Sequence, residues 1–384
     1  MAEALDPRRN RRRLLVLLAS VIAIPFVAEL GLRWMLFGTD PVAQRLGEDL
    51  RRAGLYARAD RDEAYWKLRA HFEPDLVERI EEHLEPDPIV GWRSRELLDD
   101  RLVHTFEAQL GDRRPVLFFG ASFVTPDYTG LLQASDLGPT HGLLTFGVGG
   151  FGLGQSTLLA RHTLERFDGR EPLVLLAVVI DADLPRACLA VREGAKPSFE
   201  LGPDGRLFER PFSPGSLRDV AEREPVGIDS YLLAWLRGAG SPVAREVQAW
   251  GAELDDRAAQ MLAVNQALIA SARDAASQAG GEFAVVLFNG PDSLARPPAA
   301  IELELIEFLD AQSIAYMDSR RMFNAAREAG HAPAEFFWPP GHVRQDHPNG
   351  DGQVLIAGLL RLAMAGHRDS HAGSPDPYRI LLQD

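Results

Sequence analysis

Cysteine is nearly absent from this 384-residue chain, with Cys188 standing alone. That excludes an intrachain disulfide and a cysteine zinc cluster, so the core must hold together by burial. Lysine is almost as scarce: Lys67 and Lys196 are the only lysines among 41 cationic residues, an arginine bias that reads as coding preference. Positive charge is also in deficit. The net charge is −14, and because the first thirteen residues carry +3, the rest of the chain carries −17. An acidic body repels nucleic acid and anionic head groups, so no nucleic-acid partner is expected. Internal repeats are lacking as well.

What is present begins at the N-terminus. Arg8, Arg9, Arg11, Arg12 and Arg13 stand against only Glu3 and Asp6, and the apolar run Leu14 to Ala28 follows at once. Fifteen residues of helix cover roughly 22 Å, short of a roughly 30 Å hydrocarbon core. The run continues through Leu30, Leu32, Trp34, Met35, Leu36 and Phe37, with Glu29 and Arg33 one turn apart where they can pair. Cleavage after Ala28 would put Phe26 at the minus-three position, where a small residue is wanted, and an all-round apolar run argues against a surface helix. An uncleaved single-pass anchor over residues 1–38 is therefore expected. By the positive-inside rule the arginines stay cytoplasmic and the remainder is translocated, in a bacterium to the periplasm.

Residues 39–110 show apolar positions at three and four spacing among charges and read as a juxtamembrane helical segment, broken at Pro86, Pro88 and Gly91. Short apolar runs then alternate with helical patterns. The runs lie at 116–120, 143–147, 173–180, 283–290 and 313–318; the helices lie near 152–166, 256–279, 299–311 and 351–365. That rhythm predicts an α/β fold, with a parallel sheet of about five strands covered on both faces, over residues 111–366. Residues 185–253 interrupt it with a hairpin turning on Pro203-Asp204-Gly205 and an apolar helix around Tyr231 to Leu236, which reads as an inserted cap over one end of the sheet. Residues 367–384 form a polar tail.

In such a sheet ligands bind beyond the carboxyl ends of the strands. Gly120-Ala121-Ser122-Phe123 follows the first run and could project the Ser122 hydroxyl over the strand ends, or merely let it cap a helix. Gly147-Val-Gly149-Gly150-Phe-Gly152 follows the second, where three readings compete: an oxyanion-forming loop, tight glycine packing, or a dinucleotide fingerprint on Gly147, Gly149 and Gly152. The fingerprint would fall on the second strand rather than the first, in a domain that rarely meets NAD, so no cofactor is expected. Asp181-Ala182-Asp183 ends the third run. His342 and His347 precede the last helix, where a histidine can reach across to a serine; no third ligand is spaced to join them around a metal.

These blocks, in this order, resemble the GDSL/SGNH hydrolase family. The resemblance implies a three-layer, flavodoxin-like doubly wound sheet with Ser122 as nucleophile and His347 as base. It further implies an oxyanion amide at Gly150, with Gly147, Asp181, Asp183 and His342 on the substrate side. Two departures stand out. The third block normally carries an Asn that donates to the oxyanion, whereas this chain has Ala182 before Asp183. The usual acid two or three residues before the histidine is replaced by Gln345 and Arg344, which leaves the adjacent Asp346 as the expected orienter or else a Ser-His dyad. The implied activity is that of a membrane-anchored serine esterase or O-acyltransferase acting on acyl, foremost acetyl, esters of an exported glycan, with polysaccharide export or acyl-transfer proteins as partners. The alternative is a catalytically degraded domain that binds glycan or scaffolds an export complex.

Overall fold

The computed structural model describes residues 7–94, 110–237, 253–342 and 345–366; within these, side chains are described except at 7–20, 22 and 253–257. The chain forms two compact units, Met1–Leu76 with Ala221–Ala252, and Val77–Val220 with Glu253–Asp384. The consecutive segments expected from the sequence are thereby corrected: the interruption at 185–253 is no single cap, because its second half belongs to the N-terminal unit.

The first unit contains α1 (Pro7–Phe37), α2 (Pro41–Gly47) and α3 (Glu63–Phe72), with a short helix at Tyr231–Arg237. α1 stops before Gly38, where a side chain would collide with the Ala43 methyl at 2.6 Å. Asp40 then caps α2, its carboxylate accepting from the amides of Val42 and Ala43 at 3.1 and 3.0 Å. Glu29 ties residues 221–237 to this unit, accepting from the Ser230 hydroxyl and the amides of Tyr231 and Leu232 at 2.8–3.0 Å while Arg33 Nε donates to it at 2.7 Å. Lys67 Nζ pairs with Glu224 at 2.6 Å. Leu32, Leu36, Tyr56, Leu68 and Tyr231 close one small core. Within the stretch from Glu29 to Phe37, expected to continue a membrane span, Glu29 caps the Tyr231 helix and Leu32 and Leu36 enter this core, while Leu30, Trp34 and Phe37 stay exposed. No helix among the described residues is long and apolar enough to cross a membrane. The first half of the apolar run, on which the anchor expectation rests, has its side chains outside the described set.

The second unit opens with α4 (Pro74–His83), whose first residues precede the boundary, and an antiparallel hairpin of β1 (Leu84–Asp87) and β2 (Gly91–Ser94). The helical pattern was expected to break at Pro86, Pro88 and Gly91, and the hairpin forms at that break. Pro86 and Pro88 lack the amide protons a helix needs, and Asp87 closes a turn by accepting from the amides of Ile89 and Val90 at 2.8 and 2.9 Å.

The main sheet comprises β3 (Arg114–Gly120), β4 (His141–Gly147), β5 (Leu173–Val179), β8 (Glu282–Phe288) and β9 (Ala315–Asp318), while β6 (Ser198–Leu201) and β7 (Leu207–Arg210) form a separate antiparallel hairpin. The five strands are parallel, in the order β4-β3-β5-β8-β9. Successive residues point to opposite faces, so a continuous apolar run stocks two cores. Leu117 and Phe119 enter one, with α6 (Leu153–Leu164), α8 (Glu253–Gln278) and α10 (Ala300–Ala311) covering it. Val116 and Phe118 enter the other, under α5 (Asp127–Gln133), α11 (Ser319–Glu328) and α12 (Gly350–Met364). The helices α7 (Ile180–Arg186) and α9 (Pro291–Leu294) are short pieces at the carboxyl ends of β5 and β8. The result is a three-layer, doubly wound sheet whose order reverses at β3. The β6–β7 hairpin lies beside α6, with Phe199 packed so closely on Gly154 that a side chain there would meet its ring at 2.6 Å. It packs on a layer rather than over the strand ends, a further correction to the expected cap.

Candidate active site

The turn after β3 presents the serine. The Val124 amide donates to the Ala121 carbonyl at 3.0 Å, which closes a tight turn with Ser122 at its half-buried apex. Phe123 is buried against Phe288, ring centroids 5.5 Å apart. Its carbonyl accepts from the hydroxyl of fully buried Tyr128 at 3.0 Å, and burial raises the Tyr128 phenol well above its ordinary pKa, so that proton stays in place. Both flanks of Ser122 are therefore fixed.

The histidine loop is held as firmly. The Trp338 amide donates to the His347 carbonyl at 2.9 Å, and Phe337 bridges Pro348. Asn349 then caps α12, accepting from the Gly352 amide at 3.0 Å. This brings His347 Nε2 to 2.7 Å from Ser122 Oγ across 225 residues of sequence, with the Phe123 ring 5.1 Å from the imidazole. His347 Nδ1 faces the Gln345 carbonyl oxygen at 3.0 Å. An Nδ1 proton donated to that oxygen leaves Nε2 free to accept from the serine.

The Asp346 carboxylate does not take the orienting position expected of it. It meets Gln345 Nε2 at 3.4 Å, in a residue with left-handed backbone at φ 63° that turns the side chain outward. Arg344, the other position where the family pattern places an acid, lies outside the described residues. His342 stacks flat on Trp338, centroids 4.2 Å apart, and it is His347 that meets Ser122.

The glycine loop after β4 abuts the serine turn. The Val148 amide donates to the Gly120 carbonyl at 3.2 Å, and a side chain on Gly147 would run into the Val124 backbone at 2.8 Å. Gly152 is equally confined, with Arg186 Cβ at 2.6 Å from where its own Cβ would stand. The start of α6 is occupied too: Gln155 Oε1 accepts from the Gly152 amide at 3.2 Å, and Gln155 Nε2 donates to the Val90 carbonyl at 2.8 Å. Gly147 and Gly152 are thus small because protein packs on them. Gly150 differs, with a φ of 80° that only glycine adopts easily. Among the described residues neither its amide nor that of Ser122 donates a hydrogen bond. Two unspent amides on adjoining strand ends are the equipment of an oxyanion hole.

The third strand end does something else. Asp183 is 2% exposed, accepts from the Val179 amide at 2.8 Å and pairs with Arg186 Nη1 at 3.1 Å. Arg186 in turn donates to the Phe151 carbonyl at 3.2 Å. Asp183 therefore staples the end of β5 to the glycine loop and has no face toward a substrate. Asp181 is exposed and accepts from the Ser293 hydroxyl. No group of three or more His, Cys, Asp or Glu residues able to hold a metal occurs among the described residues. Sequence reasoning missed three contributors: the Tyr128 hydroxyl, the Gln345 carbonyl and the Phe123 ring. A backbone carbonyl leaves no trace in a sequence, and Tyr128 looks like any core aromatic.

No protein-family model matches the chain, and no curated protein matches its sequence. Among solved structures it is similar to a variant of the acetyl-xylooligosaccharide esterase Axe2 from Geobacillus, with 12% identity and a TM-score of 0.36 over 69% of this chain and 99% of that one. It is similar also to the Axe2 acetylxylan esterase of Geobacillus stearothermophilus, with 13% identity and a TM-score of 0.34 over 67% and 97%. LAE5, an alpha/beta hydrolase from the metagenome of Lake Arreo, Spain, is similar at 14% identity and a TM-score of 0.34 over 67% and 97%.

Proposed function

We propose that this chain is a serine esterase or O-acyltransferase of the GDSL/SGNH type, working through a Ser122–His347 dyad on acyl esters, foremost acetyl, of an exported glycan. The observation that carries the reading is the 2.7 Å approach of His347 Nε2 to Ser122 Oγ beside two unspent amides. Ser122 Oγ attacks the ester carbonyl carbon as its proton passes to His347 Nε2. The carbonyl oxygen, now negative, lies against the Ser122 and Gly150 amides. Collapse of the tetrahedral adduct breaks the ester C–O bond, and His347 returns the proton to the departing alkoxide. Water or a sugar hydroxyl then attacks the acyl-serine with His347 as base, releasing an acid or a new ester. The Gln345 carbonyl fixes the imidazole tautomer, the task an acid performs in the usual triad.

The acetylated glycan rests on the motif resemblance and on an anchor that puts the domain outside the cytoplasm. Five arginines ahead of the run Leu14 to Ala28 support that anchor, as do Val21, Ile24, Phe26 and Val27, each more than 60% exposed on α1. Acyl-transfer or polysaccharide-export proteins would be its neighbours. The degraded-domain reading draws on one observation, the absence of a donor at the end of β5, where Asp183 is committed to Arg186.

The test is fluorophosphonate labelling of the full-length chain after detergent extraction, with Ser122→Ala beside it. Wild type labels and the variant does not. Absence of labelling, or labelling that survives the substitution, discards the esterase; release of the chain from membranes without detergent discards the anchor.

A further inference from the structure

α1 changes character at Glu29. Every described side chain from Val21 to Ala28 is exposed, whereas beyond Glu29 one face of the helix is covered, with Leu32 and Leu36 entering the small core of the first unit. The Tyr231–Arg237 helix is part of that cover. Tyr231, Leu232 and Ala234 pack into the same core, and Phe37 of α1 meets the Tyr231 ring with centroids 5.4 Å apart. Elsewhere on this seven-residue helix Leu233 and Trp235 are 51% and 43% exposed. A helix that is apolar both toward its core and away from it has a second surface to bury.

The polar groups at this level are used internally. Glu29 accepts from the Ser230 hydroxyl and from the amides of Tyr231 and Leu232, two of the first-turn donors that a helix start otherwise offers to water. Arg33 pairs with Glu29, donates from Nη2 to the Asp229 carbonyl at 2.7 Å, and holds its guanidinium 5.0 Å over the Tyr231 ring. Trp34, exposed one residue on, donates from Nε1 to Asp40 at 3.0 Å. A helix start closed by a carboxylate, itself closed by a guanidinium, enters a lipid boundary at far lower cost than an open one.

The length of the apolar run sets the depth. Leu14 to Ala28 covers roughly 22 Å of a roughly 30 Å hydrocarbon core, so a span that begins at Leu14 ends about five residues later, near Arg33. Glu29 then lies about 6 Å inside that edge, and the Tyr231 helix is fastened to it. We propose that the Tyr231–Arg237 helix is a second membrane contact, set into the boundary between acyl chains and head groups beside α1, with Leu233 and Trp235 facing lipid. This rests on the anchor reading. Indole rings favour that boundary, and Trp34 falls at the same level. Lipid is the occupant because Val21 to Ala28 are exposed on all sides, which a bilayer covers and a single protein groove does not, and the Tyr231 helix is joined where that stretch ends. With the chain beyond residue 13 at −17, the contact is apolar and asks for no anionic lipid.

The experiment reconstitutes the full-length chain, carrying Cys188→Ala, into phosphatidylcholine vesicles with a nitrobenzoxadiazole label at Val21→Cys or Leu233→Cys, both exposed positions. Doxyl groups on the lipid quench from near the head group or from deep in the acyl chain, and iodide quenches from water. The expected Leu233 label emits to the blue of its value in water, loses more fluorescence to shallow than to deep doxyl, and is shielded from iodide. The Val21 label is quenched more by the deep group, and both patterns persist at high salt. A Leu233 label that emits as in water and stays open to iodide, while Val21 is quenched, overturns the proposal. So does a label shielded from iodide yet untouched by doxyl lipid, since protein then covers the helix, and so does quenching that appears only when anionic lipid is added. A Val21 label that no doxyl lipid quenches sinks the anchor itself, a result distinct from an anchored chain whose Leu233 stays in water.

Discussion

The carboxyl ends of β3 and β5 are neighbours in one sheet and spend their polar groups in opposite ways. After β5, Asp183 turns inward, satisfies the Val179 amide and pairs with Arg186, so every charge there is used to hold the chain to itself. After β3, the Ser122 hydroxyl is met only by His347, and its amide donates to nothing among the described residues. A strand end whose hydrogen bonds are all internal contributes stability. One that leaves donors unspent, while packing fixes both of its flanks, is prepared for a ligand.

The contrast can be broken in three places. The largest effect is expected at His347→Ala, which removes the base from the β3 side: ester turnover falls by about 10^4-fold or more while the melting temperature hardly moves. Equal losses of turnover and melting temperature would mean that the β3 end is structural after all. On the β5 side, Asp183→Ala leaves Arg186 buried without its carboxylate and the Val179 amide without an acceptor. A destabilisation of about 3–5 kcal/mol is expected by denaturant unfolding, with the surviving folded fraction still labelled at Ser122. Full stability together with lost labelling would reverse the roles assigned to the two ends. The smallest effect is expected at Asp346→Asn, because the Gln345 carbonyl and not this carboxylate faces His347 Nδ1. Its pH–rate profile should overlay that of wild type, whereas a large drop in kcat would restore the conventional acid.

Much of the fold was legible in the chain because its signals are local. Leu173 to Val179 is apolar at every position, which only a strand buried on both faces tolerates, and the turn on Pro203-Asp204-Gly205 links β6 to β7 where expected. The helices read near 152–166, 299–311 and 351–365 lie at Leu153–Leu164, Ala300–Ala311 and Gly350–Met364. The break at Pro86, Pro88 and Gly91 was legible, but the hairpin formed there was not, because it is stabilised by packing with Phe151 and Ala195, far along the chain. The single cap failed for the same reason: Glu29 captures Ser230 and Tyr231 across some 200 residues, a pairing that no local pattern announces.

By itself the sequence determined a parallel α/β sheet and the order of the blocks that follow its strands, since apolar periodicity and turn residues act over a few positions. It also named Ser122 and His347 as the pair to examine. Only the tertiary structure decided what the acidic residues do. Asp183 became a buried staple, and Asp346 turned away because left-handed backbone sends its side chain outward. A charge acts through distance and burial, and both are set by residues that meet only once the chain has folded.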